Sequence, residues 1–275
     1  MNTTQRARYQ ARRLAQTPRT FANWPRVLAD LAREPFGKGP RELTFRTRDG
    51  ITITCPNVRG ARVPVYEIFA EDCYQLEPFL GSLLRRPVQV LDVGGHIGTF
   101  SCRLTQLHPT ASVTTYEPST VSADYLRRNL AQNNVADRVQ VVESALAAET
   151  GTVVFSDNGS GSGLNSLTSG HGSEGVETEV PAVSFDDAVA SAPAPVDVVK
   201  IDCEGGEYDL VLGSSPESWA SVQRVVIEFH PVPGHTWDEL RERFESVGLK
   251  VQQQSVLGGY GCVWLSREPL VLAAR

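Results

Sequence analysis

One stretch decides the fold of this chain, and it reads Val90-Leu91-Asp92-Val93-Gly94-Gly95-His96-Ile97-Gly98-Thr99-Phe100. Here a buried strand breaks into a glycine-rich turn and then begins a helix. Such a turn lets a ligand lie against bare backbone at a helix N-terminus, so it indicates a small-molecule site. The spacing does not fit the dinucleotide fingerprint G-x-G-x-x-G, because His96 stands two positions after Gly94. An NAD-dependent dehydrogenase is therefore disfavoured.

What remains of this stretch is Asp-x-Gly-x-x-x-Gly, which resembles the first motif of class I S-adenosylmethionine-dependent methyltransferases. The resemblance implies that Asp92 helps to hold the cationic end of the cofactor. It also implies that Gly94, Gly95 and Gly98 admit the amino-acid portion of S-adenosylmethionine.

The composition is that of an ordinary globular protein. The 275 residues are enough for one α/β domain with an extension. The net charge of -6 argues against a nucleic-acid partner, because phosphate contacts need a basic face. The basic run from Arg6 to Arg26 is the local exception. We interpret it as a solvated N-terminal helix; the alternative is a basic arm that contacts an anionic surface.

The apolar runs are shorter than a signal-peptide core or a membrane span, so we expect a cytoplasmic protein without a membrane span. The cysteines are odd in number and never form a C-x-x-C pair, which argues against a disulfide framework and a zinc site. They are Cys55, Cys73, Cys102, Cys203 and Cys262.

The order of elements predicts a Rossmann-like, doubly wound α/β sheet. Residues 1–60 form an accessory region with a basic arm, a helix over Phe21–Leu31 that Pro25 breaks, and a β-hairpin around Asp49-Gly50. Residues 61–275 form the methyltransferase domain, in which alternating strands and helices imply parallel pairing. Its strands are predicted at Val88–Val93, Ser112–Tyr116, Val139–Glu143, Asp197–Ile201 and Val222–Phe229, with a short extra strand at Gly151–Phe155.

The end of the chain supports the same fold class. Lys250–Val256 and Gly261–Leu265 are predicted to form a hairpin, and the class I methyltransferase sheet ends in an antiparallel strand pair. The segment Asp157–Gly175 has too few apolar residues to fold alone, so it is either a functional lid or disordered.

Ligands in open α/β sheets bind outside the carboxyl ends of the strands, so the residues that follow each strand are the site candidates. Glu117 closes the second strand, where a carboxylate can accept hydrogen bonds from a ribose diol. Ser144 and Ala145 follow the third strand, where a small polar side chain and a backbone N–H could read an adenine edge.

The fourth and fifth strands end in charged residues. Lys200, Asp202 and Glu204 are costly to bury without partners, so they form either an ion-paired structure or a reactive site. Glu228 and His230 share a face at the end of the fifth strand. A histidine there titrates near neutrality and could take a proton from an acceptor hydroxyl.

Together these motifs resemble the FkbM family of methyltransferases. The resemblance rests on the glycine turn, Glu117-Pro118, Leu126-x-x-Asn129-x-x-x-Asn133, Lys200-Ile201-Asp202-x-Glu204-Gly205-x-Glu207 and Glu228-x-His230. It implies use of S-adenosylmethionine to methylate hydroxyl oxygens on secondary metabolites or sugars. Family members more often carry Ala-Asn where this chain has Gly95-His96, so His96 either touches the methionine carboxylate or fills the space of that asparagine.

We therefore expect an S-adenosylmethionine-dependent O-methyltransferase with a small-molecule hydroxyl acceptor. His230 is the expected general base. Asp202 is expected to orient His230, to bind the acceptor or to contact the cofactor. Lys200 and Glu204 are further catalytic candidates. A second hypothesis places a divalent cation such as Mg²⁺ between Asp202, Glu204 and Glu228, although a metal-free site is favoured. A third is a cofactor-binding scaffold without chemistry. A homo-oligomer is compatible with the sequence.

Overall fold

The computed structural model describes residues 3–36, 38–58, 60–157, 176–257 and 259–273. Its N-terminal part is a layer of helices with one hairpin. The elements of this layer are α1 (Thr3–Thr20), α2 (Trp24–Arg33), β1 (Glu42–Arg46), β2 (Thr52–Pro56), α3 (Val63–Phe69) and α4 (Leu76–Leu80). The basic arm is thus helical, as predicted. Within the described residues, no helix combines the length and the apolar character that crossing a bilayer requires.

The predicted hairpin is confirmed, because β1 and β2 pair antiparallel. Gly50 adopts a φ of +100° in the turn between them, which a residue without a Cβ reaches at no steric cost. The predicted helix over residues 21–31 begins later, since Pro25 stands in the first turn of α2. A proline is tolerated there because the first helical N–H groups have no intrahelical partner. Pro25 thus starts this helix instead of breaking it.

A seven-stranded sheet forms the centre of the molecule, in the order β11-β12-β10-β9-β3-β4-β5. The strands β10, β9, β3, β4 and β5 are parallel, and β12 is antiparallel to both β10 and β11. This confirms the class I methyltransferase sheet with its antiparallel terminal pair. The remaining elements are α5 (Thr99–Leu107), α6 (Thr120–Gln132), α7 (Phe185–Ala190), α8 (Glu207–Gly213) and α9 (Trp237–Ser246), with β3 (Val88–Val93), β4 (Ala111–Tyr116), β5 (Val139–Val142), β6 (Ala145–Ala147), β7 (Gly151–Asp157), β8 (Val176–Ser184), β9 (Val196–Ile201), β10 (Arg224–Phe229), β11 (Lys250–Leu257) and β12 (Tyr260–Ser266).

A second, three-stranded sheet has the order β6-β8-β7. The short extra strand predicted at Gly151–Phe155 is part of β7, and its antiparallel partner β8 was not predicted. The segment proposed as a lid or a disordered loop, 157–175, lies outside the described residues except for Asp157.

The hairpin docks on α6 through side-chain amides. Asn129 Oδ1 accepts from Thr54 N at 2.8 Å, and Asn129 Nδ2 donates to Thr54 O at 3.0 Å. Asn133 makes the same two bonds with Thr52, at 2.8 and 2.7 Å. These amides satisfy a strand edge that would otherwise be unpaired. Asn129 Nδ2 also donates to Ile97 O at 2.7 Å, so the same side chain ties the glycine turn to the hairpin.

The N-terminal layer shares one hydrophobic cluster with the sheet, in which Phe21, Phe45 and Tyr66 pack in the same core as Val90 and Phe100. The boundary at residue 60 between two domains stays a prediction.

Candidate active site

A cavity of about 240 Å³ lies at the carboxyl ends of the parallel strands, where the sequence predicted the site. One part of its lining comes from the ends of β3 and β4 and from β6 and β7, and includes Gly94, Gly95, His96, Tyr116, Glu117, Pro118, Ala145, Leu146 and Phe155. A second part comes from α3, from the segment before α4 and from the ends of β9 and β10. It includes Val63, Glu67, Ile68, Cys73, Tyr74, Lys200, Asp202, Cys203, Glu204 and Glu228. Asp92, Gly98, Ser144 and His230 were predicted as site residues but lie outside the lining.

The glycine turn is shaped by the protein around it. A Cβ on Gly94 would lie 1.8 Å from Asp202 O, and one on Gly95 would lie 2.1 Å from Thr115 Oγ1. Both glycine amides donate to Tyr116 O at 3.0 Å. These glycines therefore let neighbouring strand ends approach the turn. That they also admit the amino-acid portion of the cofactor stays a prediction.

His96 adopts a φ of +46°, a left-handed conformation that Asn, Asp and His reach more readily than most residues. Its backbone N–H donates to Glu117 Oε2 at 2.7 Å. The left-handed backbone explains why an asparagine suits this position in the family that the sequence resembles.

Glu117 is buried and bridges two segments of the site. Besides the bond from His96, its Oε1 accepts from Ser119 N at 2.9 Å, at the start of α6. Burial raises the pKa of Glu117 to about 7, although the amides of Ser119 and His96 favour the ionised form. The carboxylate thus fixes the turn and still lines the cavity.

Asp92 lies beneath the turn and is fully buried. Its Oδ2 accepts from Ser101 Oγ at 2.7 Å and from Thr115 Oγ1 at 3.2 Å, while Oδ1 lies 3.4 Å from Lys200 Nζ. Burial raises the pKa of Asp92, and the Lys200 charge opposes this rise. Asp92 lies outside the cavity lining and supports the turn from beneath. That it helps to hold the cationic end of the cofactor stays a prediction.

Lys200 lines the cavity, but its ammonium is tied down. Nζ donates to Gly94 O at 2.7 Å and to Val93 O at 3.1 Å, in addition to its contact with Asp92. Burial alone would lower the pKa of Lys200, but the charges of Asp202 and Asp92 outweigh burial and raise it. An ammonium held in this way supports the turn, so the geometry does not favour the catalytic role proposed for Lys200.

A group of carboxylates faces the cavity at the ends of β9 and β10. Asp202, Glu204 and Glu228 belong to it, as predicted, and α3 contributes Glu67. Burial and neighbouring carboxylates raise the pKa of Glu204 and of Glu228 to about 8 each, and burial raises that of Glu67 to about 7. Among the described residues, Glu228 makes no hydrogen bond through its side chain. Its carboxylate is therefore available to a bound ligand.

Two residues of the site, Glu67 and Tyr74, were not predicted from the sequence. The hydroxyl of Tyr74 donates to Asp202 Oδ2 at 3.2 Å. Both precede the glycine turn in the chain. The seven residues of α3 are too few to show a helical period, and Pro64 in its first turn is the signal that could have revealed the helix.

His230 is held by two carboxylates. Its Nδ1 lies 3.0 Å from Glu207 Oε1, and its Nε2 lies 3.3 Å from Glu204 Oε2. Burial lowers the pKa of His230, but the bond to Glu207 and the surrounding carboxylates outweigh it and raise the pKa to about 10. Because both ring nitrogens face carboxylates, the geometry does not favour the role of general base that was expected for His230.

One donor atom each of Asp202, Glu204 and His230 lies within 4.8 Å of the others. The cation site proposed from the sequence contained Glu228 as its third member. The structure brings His230 to that place instead.

Comparisons with known proteins agree with this geometry. A family model described as the Methyltransferase FkbM domain matches residues 92–251. The 31-O-demethyl-FK506 methyltransferase FkbM of Streptomyces tacrolimicus is 29% identical over 220 residues, which cover 70% of this chain and 83% of that protein. Methyltransferase sdnD of Sordaria araneosa is 25% identical over 224 residues, covering 71% of this chain and 79% of the relative.

Among solved structures, the SAM-dependent methyltransferase from Agrobacterium tumefaciens matches with a TM-score of 0.50 and 9% sequence identity. The match covers 83% of this chain and 71% of that one. At this identity the likeness concerns the fold alone.

Proposed function

Because this chain belongs to the FkbM family of methyltransferases, we propose that it uses S-adenosylmethionine to methylate a hydroxyl oxygen of a small molecule. The acceptor class in this proposal is a sugar or a secondary metabolite. The Streptomyces tacrolimicus relative is named a 31-O-demethyl-FK506 methyltransferase, which supports an oxygen acceptor. The observation that carries the proposal is one cavity that joins the glycine turn and Glu117 to a group of carboxylates.

The residues present fit the cofactor. Glu117 lines the cavity with a carboxylate, which can accept hydrogen bonds from two ribose hydroxyls. Tyr116, Ala145, Leu146 and Phe155 offer apolar surface for an adenine ring. Asp202 and its neighbouring carboxylates supply negative charge that complements a sulfonium cation.

When bound, S-adenosylmethionine supplies a methyl group that is already activated by the positive sulfur. The protein must therefore align donor and acceptor and remove the hydroxyl proton. Glu67 and Ile68 of α3 line the part of the cavity left for the acceptor, together with Val63 and Tyr74.

Glu228 is our candidate for the group that accepts the hydroxyl proton, acting in the fraction of molecules in which its carboxyl, with a pKa of about 8, is ionised. Its carboxylate lines the cavity beside Asp202 and is not engaged by a hydrogen bond from another described residue. It replaces His230 in this role, since both ring nitrogens of His230 face carboxylates.

The test is transfer of isotope-labelled methyl from S-adenosylmethionine to a panel of hydroxylated sugars and secondary metabolites. The proposal predicts label in a methyl ether, which withstands mild base. Label in a base-labile methyl ester or on nitrogen would contradict the oxygen ether assignment. Absence of transfer to every hydroxylated acceptor would contradict the proposed acceptor class.

A further inference from the structure

Three side chains converge where β9 and β10 end. The two strands are parallel, with Ile201 opposite Ile227, so the residues that follow them meet at the same edge of the sheet. Asp202, Glu204 and His230 place one donor atom each within 4.8 Å of the others. Ligands on one metal ion, with bonds of about 2.1 Å, lie at most about 4.2 Å apart. Small side-chain movements are enough to bring all three donors onto one ion.

His230 is oriented in the manner of a metal ligand. Its Nδ1 contacts Glu207 Oε1 at 3.0 Å, and Glu207 is fully buried. Glu207 also accepts from Cys203 N at 3.1 Å and from Gly205 N at 3.0 Å, so its position is fixed from several sides. Metal-bound histidines usually donate their other ring N–H to such a carboxylate. This arrangement turns Nε2, on a ring that is only 6% exposed, toward Glu204 and Asp202.

The charge around the cavity is an independent observation. Glu67 and Glu228 line the same cavity and add their carboxylates to those of Asp202 and Glu204. Lys200 is the cation in that lining; its Nζ lies 3.7 Å from Asp202 Oδ2 but also contacts Asp92 and the carbonyl of Gly94. Carboxylates gathered in a partly buried site are compensated either by protons or by a positive charge. A divalent ion is one such charge.

From these observations we infer that Asp202, Glu204 and His230 bind one divalent metal ion. One imidazole nitrogen with two carboxylates is a mixed donor set, which suits Mn²⁺ or Fe²⁺ better than an all-oxygen ion such as Mg²⁺. Nε2 binds the ion through its lone pair, so binding requires the imidazole to be neutral. If it also positions the acceptor hydroxyl, that role rests on the proposed function, whereas binding itself does not.

The experiment measures Mn²⁺ binding to the whole protein in the absence of S-adenosylmethionine and acceptor. The electron paramagnetic resonance signal of free Mn²⁺ disappears on binding, so a titration gives the stoichiometry and Kd. We expect one site per chain. A titration in which the free signal is unchanged by excess protein overturns the inference.

Variants then locate the ion. Asp202→Asn, Glu204→Gln and His230→Ala should each weaken binding by at least the roughly 10–100-fold seen when a residue that merely orients a ligand is lost. Glu67→Gln is the matched control, because it removes a carboxylate of the same cavity outside the ligand set. It should change the Kd by less than about threefold, a small electrostatic effect. Circular dichroism of each variant verifies the fold.

The outcomes separate the two proposals. Wild-type Mn²⁺ affinity in His230→Ala or in Asp202→Asn would place the ion elsewhere and refute the inference. If Glu67→Gln weakens Mn²⁺ binding as much as the ligand variants do, the ion is attracted only by the general negative charge of the cavity, which also refutes the inference. Mn²⁺ binding without methyl transfer would count against the proposed function alone, and methyl transfer by a protein that binds no Mn²⁺ would count against this inference alone.

Discussion

Replacing Lys200 by methionine tests whether the buried ammonium is structural. Met keeps the length and the apolar stem of the side chain and removes the charge. The lost contacts are Nζ to Gly94 O at 2.7 Å, to Val93 O at 3.1 Å and to Asp92 Oδ1 at 3.4 Å. Asp92 is fully buried, so it would keep a negative charge without its partner.

Breaking a buried ion pair by removing one partner costs about 3–5 kcal/mol. Asp92 keeps its hydrogen bonds from Ser101 and Thr115, which limit the damage. It can also take up a proton, because burial already raises its pKa and the loss of Lys200 raises it further. We therefore expect Lys200→Met to lower the free energy of unfolding by about 3 kcal/mol at neutral pH, the lower end of that range.

The sign of the pH dependence follows from Asp92. In the variant its folded pKa lies above its unfolded pKa, so the folded state binds more protons between these two values. The stability deficit should then shrink as the pH falls through the folded pKa of Asp92. In the double variant with Asp92→Asn the buried group is neutral, and most of the loss at neutral pH should be recovered.

Urea unfolding followed by circular dichroism measures these free energies for the wild type, both single variants and the double variant. A loss below about 1 kcal/mol in Lys200→Met, typical of a surface position, would refute the structural role. So would a double variant no more stable than Lys200→Met. Unchanged stability with abolished turnover would restore Lys200 as a catalytic residue.

Four further predictions concern the cofactor, the turn and the proton acceptor. Glu117→Ala should weaken S-adenosylhomocysteine binding by about 2–3 kcal/mol in calorimetry, because it loses charge-assisted hydrogen bonds to the ribose. The control variant Glu149→Ala, at an exposed position, should bind as the wild type does. Equal affinity in the two variants would place the ribose elsewhere. Because ribose hydroxyls stabilise the ionised carboxylate of Glu117, whose pKa is about 7, affinity should increase as the pH rises toward 7 and then level off; a flat profile would speak against this contact. Asn129→Ala removes three buried hydrogen bonds to the hairpin and the glycine turn and should cost about 2–4 kcal/mol in urea unfolding, and a loss near zero would show that the hairpin docks by other contacts. Glu228→Gln should lower kcat by about 10²–10⁴ with a small change in KM, and near-normal turnover would remove Glu228 as the proton acceptor.

The central sheet could be predicted because its strands are continuous apolar runs. All six residues of Val88–Val93 are buried, as expected of a parallel strand covered on both faces. The second sheet was only partly visible in the sequence. The strand Val176–Ser184 contains Pro181 and has four exposed residues at its start, features that argue against a strand when no partner is known.

The candidate site could be predicted by position but not by contact. Strand ends carry Glu117, Asp202 and Glu228 into one cavity, as parallel pairing requires. The state of His230 depends on Glu207, which sits on α8, and no periodicity in the sequence reveals that contact. Asp92 likewise pairs with a residue more than a hundred positions away. Such partners follow from the packed tertiary structure.

A crystal structure of the complex with S-adenosylhomocysteine would show how this cavity holds the cofactor. We expect the ribose hydroxyls within hydrogen-bond distance of Glu117, the adenine against Ala145 and Leu146, and the sulfur toward Asp202 and Glu228. A ligand bound outside this cavity, or within it with the ribose away from Glu117, would contradict the proposed cofactor site.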